Sequence, residues 1–193
     1  TDITKKESVE SMINKVKNKM GKVDILINNA GTSVRSPAED FTEEEWNKVI
    51  NVNLSGAFYC AQAAGKIMID QGYGNIINIA SVVGQRGLYH PHDYSVAYCC
   101  SKGGLIQLTK ALAAEWASHN IRVNAVAPTY LWTDLVKKLF DNKEFEEYIY
   151  NKIPLDRLVN PEEVIGSVVF LASDASSMVT GHILNVDGGW LAI

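Results

Sequence analysis

Val23-Asp24-Ile25-Leu26-Ile27-Asn28-Asn29-Ala30-Gly31 decides the fold. Val23 to Ile27 is short, nearly all apolar and rich in β-branched residues, which suits a strand buried on both faces of a sheet. Asn28-Asn29-Ala30-Gly31 breaks the run, because Asn and Gly tolerate left-handed conformations. That tetrapeptide taken alone reads equally well as a plain turn. Upstream, Thr4-Lys5-Lys6-Glu7 has the spacing of a capping box, and Val9, Met12, Ile13 and Val16 recur at helical intervals before Gly21. Downstream, Thr42-Glu43-Glu44-Glu45 is a second capping box, opening a long helix through Trp46, Val49, Ile50 and Val52 to about Asp70.

The alternation then repeats. Gly74 to Ala80 is a strand that delivers Ser81 to a loop punctuated by Gly84, Gly87 and Pro91. Ser95 to Ser118 suits a helix with Leu105, Leu108, Leu112 and Trp116 as its apolar stripe, stopped near Asn120. Ile121 to Val126 is the next strand, ending at Pro128, and 130–152 reads as one or two short helices. Asn160-Pro161-Glu162-Glu163 opens a further helix, and His182 to Val186 forms a last strand closed by Asp187-Gly188-Gly189. Helix and strand in strict alternation predict an α/β fold: a doubly wound parallel sheet of Rossmann type, three layers α/β/α, in a single domain over 1–193. Ligands in such sheets bind at the carboxyl ends of the strands, where Asn29 to Gly31, Ser81 and Pro128 all sit.

The composition fits. Of 193 residues, 47% are hydrophobic and 21% charged, which excludes a disordered chain. A formal charge of −4 argues against nucleic acid or anionic lipid as partner. Cys60, Cys99 and Cys100 have neither disulfide nor zinc spacing, so a reducing cytoplasm is expected, and Cys99 and Cys100 read as packing residues rather than nucleophiles. No apolar run is long enough to span a bilayer. His90 and His92 flank Pro91 in a spacing that suggests metal, but no third ligand cluster accompanies them, so a loop or substrate contact is preferred and no metal is expected.

Tyr98 and Lys102 carry the chemistry. Four residues apart on one helix, they point within about 40° of each other, one turn apart. An ammonium about 4 Å from a phenol, at an effective dielectric of about 20, favours the phenolate by about 4 kcal/mol, enough to bring it toward neutral pH. Such a tyrosine exchanges a proton with a carbonyl or hydroxyl oxygen, and Ser81 at a neighbouring strand end could hold that oxygen. The four-residue spacing by itself arises often by chance.

The ordered set of motifs resembles the short-chain dehydrogenases/reductases over essentially the whole chain. Asp2-Ile3 looks like the family's adenine-contacting dipeptide, and Asn28-Asn29-Ala30-Gly31 matches its Asn-Asn-Ala-Gly segment. Asn51-Val52-Asn53-Leu54 resembles the segment carrying the catalytic Asn, here Asn53, while Ser81, Tyr98 and Lys102 match the other catalytic residues. Asn124 to Pro128, with Thr133 beyond, is similar to the nicotinamide-holding segment, and Thr180-Gly181 and Val186 to Gly189 to the family's C-terminal close. The resemblance implies hydride transfer between NAD or NADP and a carbonyl or alcohol of a small molecule. Tyr98 would be acid or base, Lys102 would lower its pKa and hold the nicotinamide ribose, Ser81 would orient the substrate oxygen, and Asn53 would anchor a proton-relaying water. The cofactor would meet Asp2, Ile3, Asn29, Ala30, Gly31, Tyr98, Lys102, Pro128, Thr129, Leu131 and Thr133.

Three departures from the family pattern stand out. The Gly-rich phosphate-binding turn and the residue separating NAD from NADP are absent, so about 60 residues, two βα units, are expected ahead of Thr1, making it a truncation boundary. Without them the Val23 to Ile27 strand would become an apolar sheet edge. Thr129 stands where Gly is usual after Pro128, and the interval from Ser81 to Tyr98 is a few residues longer than common. The Pro128-Thr129-Tyr130 variant and the His/Tyr-rich loop at 89–94 favour a polyol, sugar or sugar acid, with 130–152 (Tyr130, Trp132, Leu135, Phe140) as lid. A homo-oligomer, a dimer of dimers, follows from the resemblance. The alternative from another class is a truncated, inactive relative acting as a scaffold or partner subunit.

Overall fold

The computed structural model describes residues 1–87, 93–133, 136 and 138–193. Its four strands, β1 (Ile25–Asn28), β2 (Gly74–Ile79), β3 (Ile121–Pro128) and β4 (Ile183–Val186), pair in parallel in the order β1-β2-β3-β4. The register places Ile27 beside Ile77, Ile77 beside Asn124, and Pro128 beside Val186. Parallel pairing needs a crossover between strands, and helices supply it. These are α1 (Lys6–Met20), α2 (Glu43–Ile50), α3 (Ala57–Gln71), α4 (Val96–Trp116), α5 (Lys143–Tyr150) and α6 (Pro161–Ala172). The expected three-layer parallel α/β architecture is therefore present.

Alternation along the strands assigns the two faces. Ile76 and Val123 pack against Val9, Ala61, Ala64, Met68, Leu112 and Trp116 of α1, α3 and α4. Ile77 and Val126 point the other way, onto Val164 and Leu171 of α6. Buried amides follow the same alternation: Asn75 Nδ2 donates to the Leu171 carbonyl at 2.8 Å, whereas Asn78 Nδ2 donates to Thr109 Oγ1 of α4 at 2.9 Å.

Two expectations need correction. Thr4 does not cap α1, because its N–H and hydroxyl both donate to the Asp2 carboxylate, at 3.0 and 2.7 Å. That local Asx-type turn outcompetes the capping box, and the helix starts at Lys6 behind an uncapped Lys5. The first strand begins at Ile25 and is not buried on both faces: it is an edge of the sheet, with Ile25 and Ile27 each 46% exposed. This agrees with the expectation for that strand without a neighbour.

The second capping box forms as expected. Glu45 N–H donates to Thr42 Oγ1 at 3.2 Å and Thr42 N–H donates back to the Glu45 carboxylate at 3.0 Å. The long helix it opens carries a π-helical turn, Asn51–Gly56, between α2 and α3. The segment after β3 is a packed body rather than an open loop. Tyr130 stacks on Trp190 with centroids 5.8 Å apart, and Phe140 meets Trp132 and Phe145 edge to face. Leu135 lies outside the described residues. Of the two adjacent cysteines expected to be packing residues, Cys99 is half-buried and Cys100 is exposed, while Cys60 is buried.

Candidate active site

A cavity of 640 Å³ opens at the carboxyl ends of β1, β2 and β3. The strands place the groups on its wall: Asn29, Gly31 and Thr32 follow β1, Ser81 follows β2, and Pro128, Thr129 and Tyr130 leave β3. Tyr98 and Lys102 enter from the first turns of α4, one turn apart as their spacing requires.

Ser81, Tyr98 and Lys102 are brought together. Ser81 lies near enough to the Tyr98 phenol to influence it; its hydroxyl donates to the Pro128 carbonyl at 3.5 Å, and its oxygen accepts Val83 N–H at 3.4 Å, capping the 3₁₀ turn Val82–Gly84. This turn seats directly on α4: a Cβ on Gly84 would lie 2.6 Å from the Lys102 carbonyl carbon. Lys102 Nζ donates to the Ile79 carbonyl at 2.6 Å and lies 5.5 Å from the Tyr98 ring centre.

The electrostatics differ from the expectation in one respect. Tyr98 is raised above the ordinary phenol value, chiefly by burial, which outweighs the opposing influence of Ser81. The ammonium sits over the ring face and is bonded to a backbone carbonyl, so it does not pull the phenol down as the helical spacing suggested. Lys102 itself is lowered to about 8, because burial penalises its charged form.

Asn53 stands behind the wall, 1% exposed, inside the π-helical turn. Its Oδ1 accepts Thr32 N–H at 2.8 Å, and its Nδ2 donates to the Thr32 carbonyl at 2.9 Å and to Ser101 Oγ at 3.0 Å. The side chain is thus committed to the β1 loop and α4. A Cβ on Gly31 would fall 3.6 Å from Asn53 Oδ1 and 3.9 Å from Lys102 Nζ, so the loop backbone passes close between them.

Of the remaining residues expected at the cofactor, Asn29, Gly31, Pro128, Thr129, Leu131 and Thr133 line the cavity. Ala30 does not. Asp2 and Ile3 are also away from it: Ile3 packs on Gly56, and Asp2 holds the Thr4 turn. His90 and His92 lie outside the described residues, among which no group of metal-ligating side chains occurs.

The structure adds residues that the sequence did not single out. Arg35 and Asp93 line the same cavity; Arg35 Nε donates to Asp93 Oδ1 at 3.1 Å, and the Tyr130 hydroxyl donates to the other carboxylate oxygen. Arg35 follows the Asn-Asn-Ala-Gly turn by four residues, and Asp93 ends the loop ahead of α4. A charge in each of two loops at strand carboxyl ends was the available signal.

Known proteins match this sequence and fold. The family model described as enoyl-(acyl carrier protein) reductase, of the short-chain dehydrogenase group, matches residues 1–191. The chain is 43% identical to an NAD-dependent glycerol dehydrogenase of Listeria innocua, over 98% of this chain and 72% of that protein. It is 47% identical to a 2-dehydro-3-deoxy-D-gluconate 5-dehydrogenase of Bacillus subtilis, over 88% of this chain but only 65% of that relative's length. The crystal structure of a gluconate 5-dehydrogenase from Burkholderia cenocepacia in complex with NADP and tartrate superposes with a TM-score of 0.94 at 36% identity, covering 100% of this chain and 74% of that one. Among the described residues no helix is long and apolar enough to cross a membrane. The match of sequence and fold over nearly every residue shows that the chain belongs to the short-chain dehydrogenase/reductase family, whose members are oxidoreductases acting on CH–OH and C=O groups with a nicotinamide cofactor.

Proposed function

We propose that the protein is an NAD(P)-dependent oxidoreductase that interconverts a secondary alcohol and a carbonyl on a polyol, sugar or sugar acid. The observation that carries this reading is the convergence of Ser81, Tyr98 and Lys102 on one cavity. Relatives named glycerol, threitol and gluconate dehydrogenases support the substrate class, and none of the relatives' names supports the scaffold alternative.

The cavity fits a nicotinamide. Thr129 Oγ1 is buried without a hydrogen-bond partner among the described residues, and Gly31 leaves its backbone open beside Lys102. Asn29, Gly31, Lys102, Pro128, Thr129, Leu131 and Thr133 would hold it, and it would supply or accept the hydride when bound. Everything else is the work of this chain. Tyr98, raised by burial, is a neutral phenol near pH 7 and ready to give its proton to a carbonyl oxygen; in the reverse direction it takes the alcohol proton. Ser81 fixes that oxygen through its hydroxyl, which lines the same cavity as Tyr98. Lys102, still largely protonated near pH 7 and tied to the Ile79 carbonyl, would hold the nicotinamide ribose. Asn53 acts as a positioning residue, tying the Thr32 loop to α4.

A single domain over 1–193, a cytoplasmic location and a dimer of dimers belong to the same reading. Exposed Trp46 and Phe58 along α2 and α3, and exposed Ile165, Val169 and Phe170 on α6, supply two apolar faces for assembly. Light scattering on the full-length protein tests the oligomer.

The activity is tested on the full-length protein with a panel of polyols, sugars and sugar acids and both nicotinamide cofactors, read at the nicotinamide absorbance. Tyr98→Phe should lower turnover about a hundredfold or more while dinucleotide binding persists. Activity retained in Tyr98→Phe would overturn the assignment.

A further inference from the structure

The Arg35, Asp93 and Tyr130 group occupies the wall of the active-site cavity but has no part in the proton transfer. Asp93 is fixed from both sides, with its side chain 3% exposed: one oxygen receives Arg35 Nε, and the other receives the Tyr130 hydroxyl. Tyr130 is itself clamped by stacking on Trp190 and by an edge contact with Phe145. A chain of packed contacts therefore sets the plane of the guanidinium. Only Nε is used: among the described residues no hydrogen bond reaches the two Nη nitrogens, and the Arg35 side chain is 29% exposed.

A guanidinium bonded through Nε alone still presents the Nη edge, two parallel N–H donors whose spacing matches the two oxygens of a carboxylate. The charges agree. Arg35 and Lys102 are the cations among the described lining residues and Asp93 the anion, which leaves one net positive charge once the ion pair is formed. The group is also near the chemistry, since the charges of both Arg35 and Asp93 act on the Tyr98 phenol. A hydroxyl-bearing substrate in the cavity would meet both Tyr98 and the Arg35 side chain, which line the same wall. Ser95 and the unpartnered Thr129 hydroxyl lie along the cavity wall to meet its hydroxyls.

We propose that Arg35, oriented by Asp93 and Tyr130, binds the carboxylate of a hydroxy- or keto-acid whose reacting carbon lies at Ser81 and Tyr98, so that the site selects sugar acids over neutral polyols. This rests on the oxidoreductase reading above and narrows it. A neutral polyol would leave the Nη edge with a hydroxyl in place of a charge-matched bidentate partner, and sites built for a specific polar group discriminate strongly against analogues that lack it.

The experiment uses acid and polyol pairs with the same carbon skeleton, D-gluconate against D-sorbitol and the four- and five-carbon equivalents, on the full-length protein with both cofactors. Binding of each acid is measured separately by isothermal titration. We expect kcat/KM to favour the acids by about ten- to a hundredfold. Arg35→Met should bring the ratio near parity, mainly through KM for the acid. Arg35→Lys should recover only part of the preference, because an ammonium does not offer two parallel donors. Thermal unfolding of each variant reports whether the fold is kept. Polyols turned over as well as the acids, or an acid preference that survives Arg35→Met in a folded variant, would overturn the carboxylate site. Arg35-dependent binding of an acid without turnover of any pair would remove the oxidoreductase reading and keep the carboxylate site. Absence of both binding and turnover would remove both.

Discussion

Lys102 Nζ donates a hydrogen bond at 2.6 Å to the carbonyl of Ile79, the last residue of the strand that delivers Ser81. One hydrogen bond thus locks the helix carrying Tyr98 to the strand end that presents the substrate-orienting hydroxyl. The bond also holds a cation in a place where burial lowers its pKa from 10.5 to about 8.

That shift has a definite sign in stability. The folded value lies below the unfolded one, so between about pH 8 and 10.5 the unfolded chain binds more protons and stability rises with pH. Relative to Lys102→Met, which has no such titration, the wild-type protein should gain about 3 kcal/mol across that window. Urea unfolding of both proteins at several pH values measures the gap. A gap that stays constant from pH 7 to 10.5 would mean that Lys102 is not desolvated.

Gly84 seats the Ser81 turn on the α4 backbone. A Cβ there would meet the Lys102 carbonyl carbon at 2.6 Å and its oxygen at 2.8 Å, and backbone atoms have no rotamer by which to move aside. Gly84→Ala should destabilise the fold by about 1–3 kcal/mol and depress turnover further than that loss of folded protein explains, because the strain falls on Lys102. Chemical denaturation and activity per folded molecule separate the two effects. Wild-type activity in this variant would show that the turn and helix slide freely.

The element order and the cavity floor were legible in sequence because they follow from local rules. The Thr42 to Glu45 capping box, the Gly21 stop with φ 80° and the Asn120 stop with φ 57° each satisfy a backbone requirement within a few residues. The Tyr98 to Lys102 spacing placed both groups on one wall for the same reason. What escaped was set by distant partners. Lys102 turned from the phenol to a carbonyl 23 residues away, and Arg35 found Asp93 58 residues on. The Thr4 capping box failed for a local reason, a competing carboxylate at Asp2 whose pull spacing alone does not weigh.

Thr129 separates stability from function. Its hydroxyl is buried and has no hydrogen-bond partner among the described residues, yet it lines the cavity where Gly is usual in the family. Thr129→Val keeps the shape and removes a hydroxyl that is unpaired among the described residues. It should leave the fold as stable as before, or more stable by about 1 kcal/mol, while weakening dinucleotide or substrate binding. Denaturation midpoints and titration of dinucleotide fluorescence supply the readouts. A destabilised variant with normal binding would show that the hydroxyl is structural.

Asn53 lies within reach of Lys102 across the Gly31 backbone, as the separations of 3.6 and 3.9 Å from a Gly31 Cβ show. Asn53→Asp keeps an acceptor for Thr32 N–H but loses the Nδ2 bonds to the Thr32 carbonyl and Ser101, so the fold should lose about 2–4 kcal/mol. It also adds a carboxylate near a buried ammonium, and an opposite charge at that range favours the charged form of the lysine. The Lys102 titration, and any limb of the pH–rate profile it controls, should therefore move upward from about 8. Asn53→Ala loses those two bonds and the Thr32 N–H acceptor as well, adds no charge, and should leave the titration in place. NMR titration of the lysine side chains, or pH profiles of kcat/KM for the three proteins, reads the difference. Equal titrations in Asn53→Asp and Asn53→Ala would show that the two residues are electrostatically independent, and Asn53 would then serve the site only by holding the Thr32 loop.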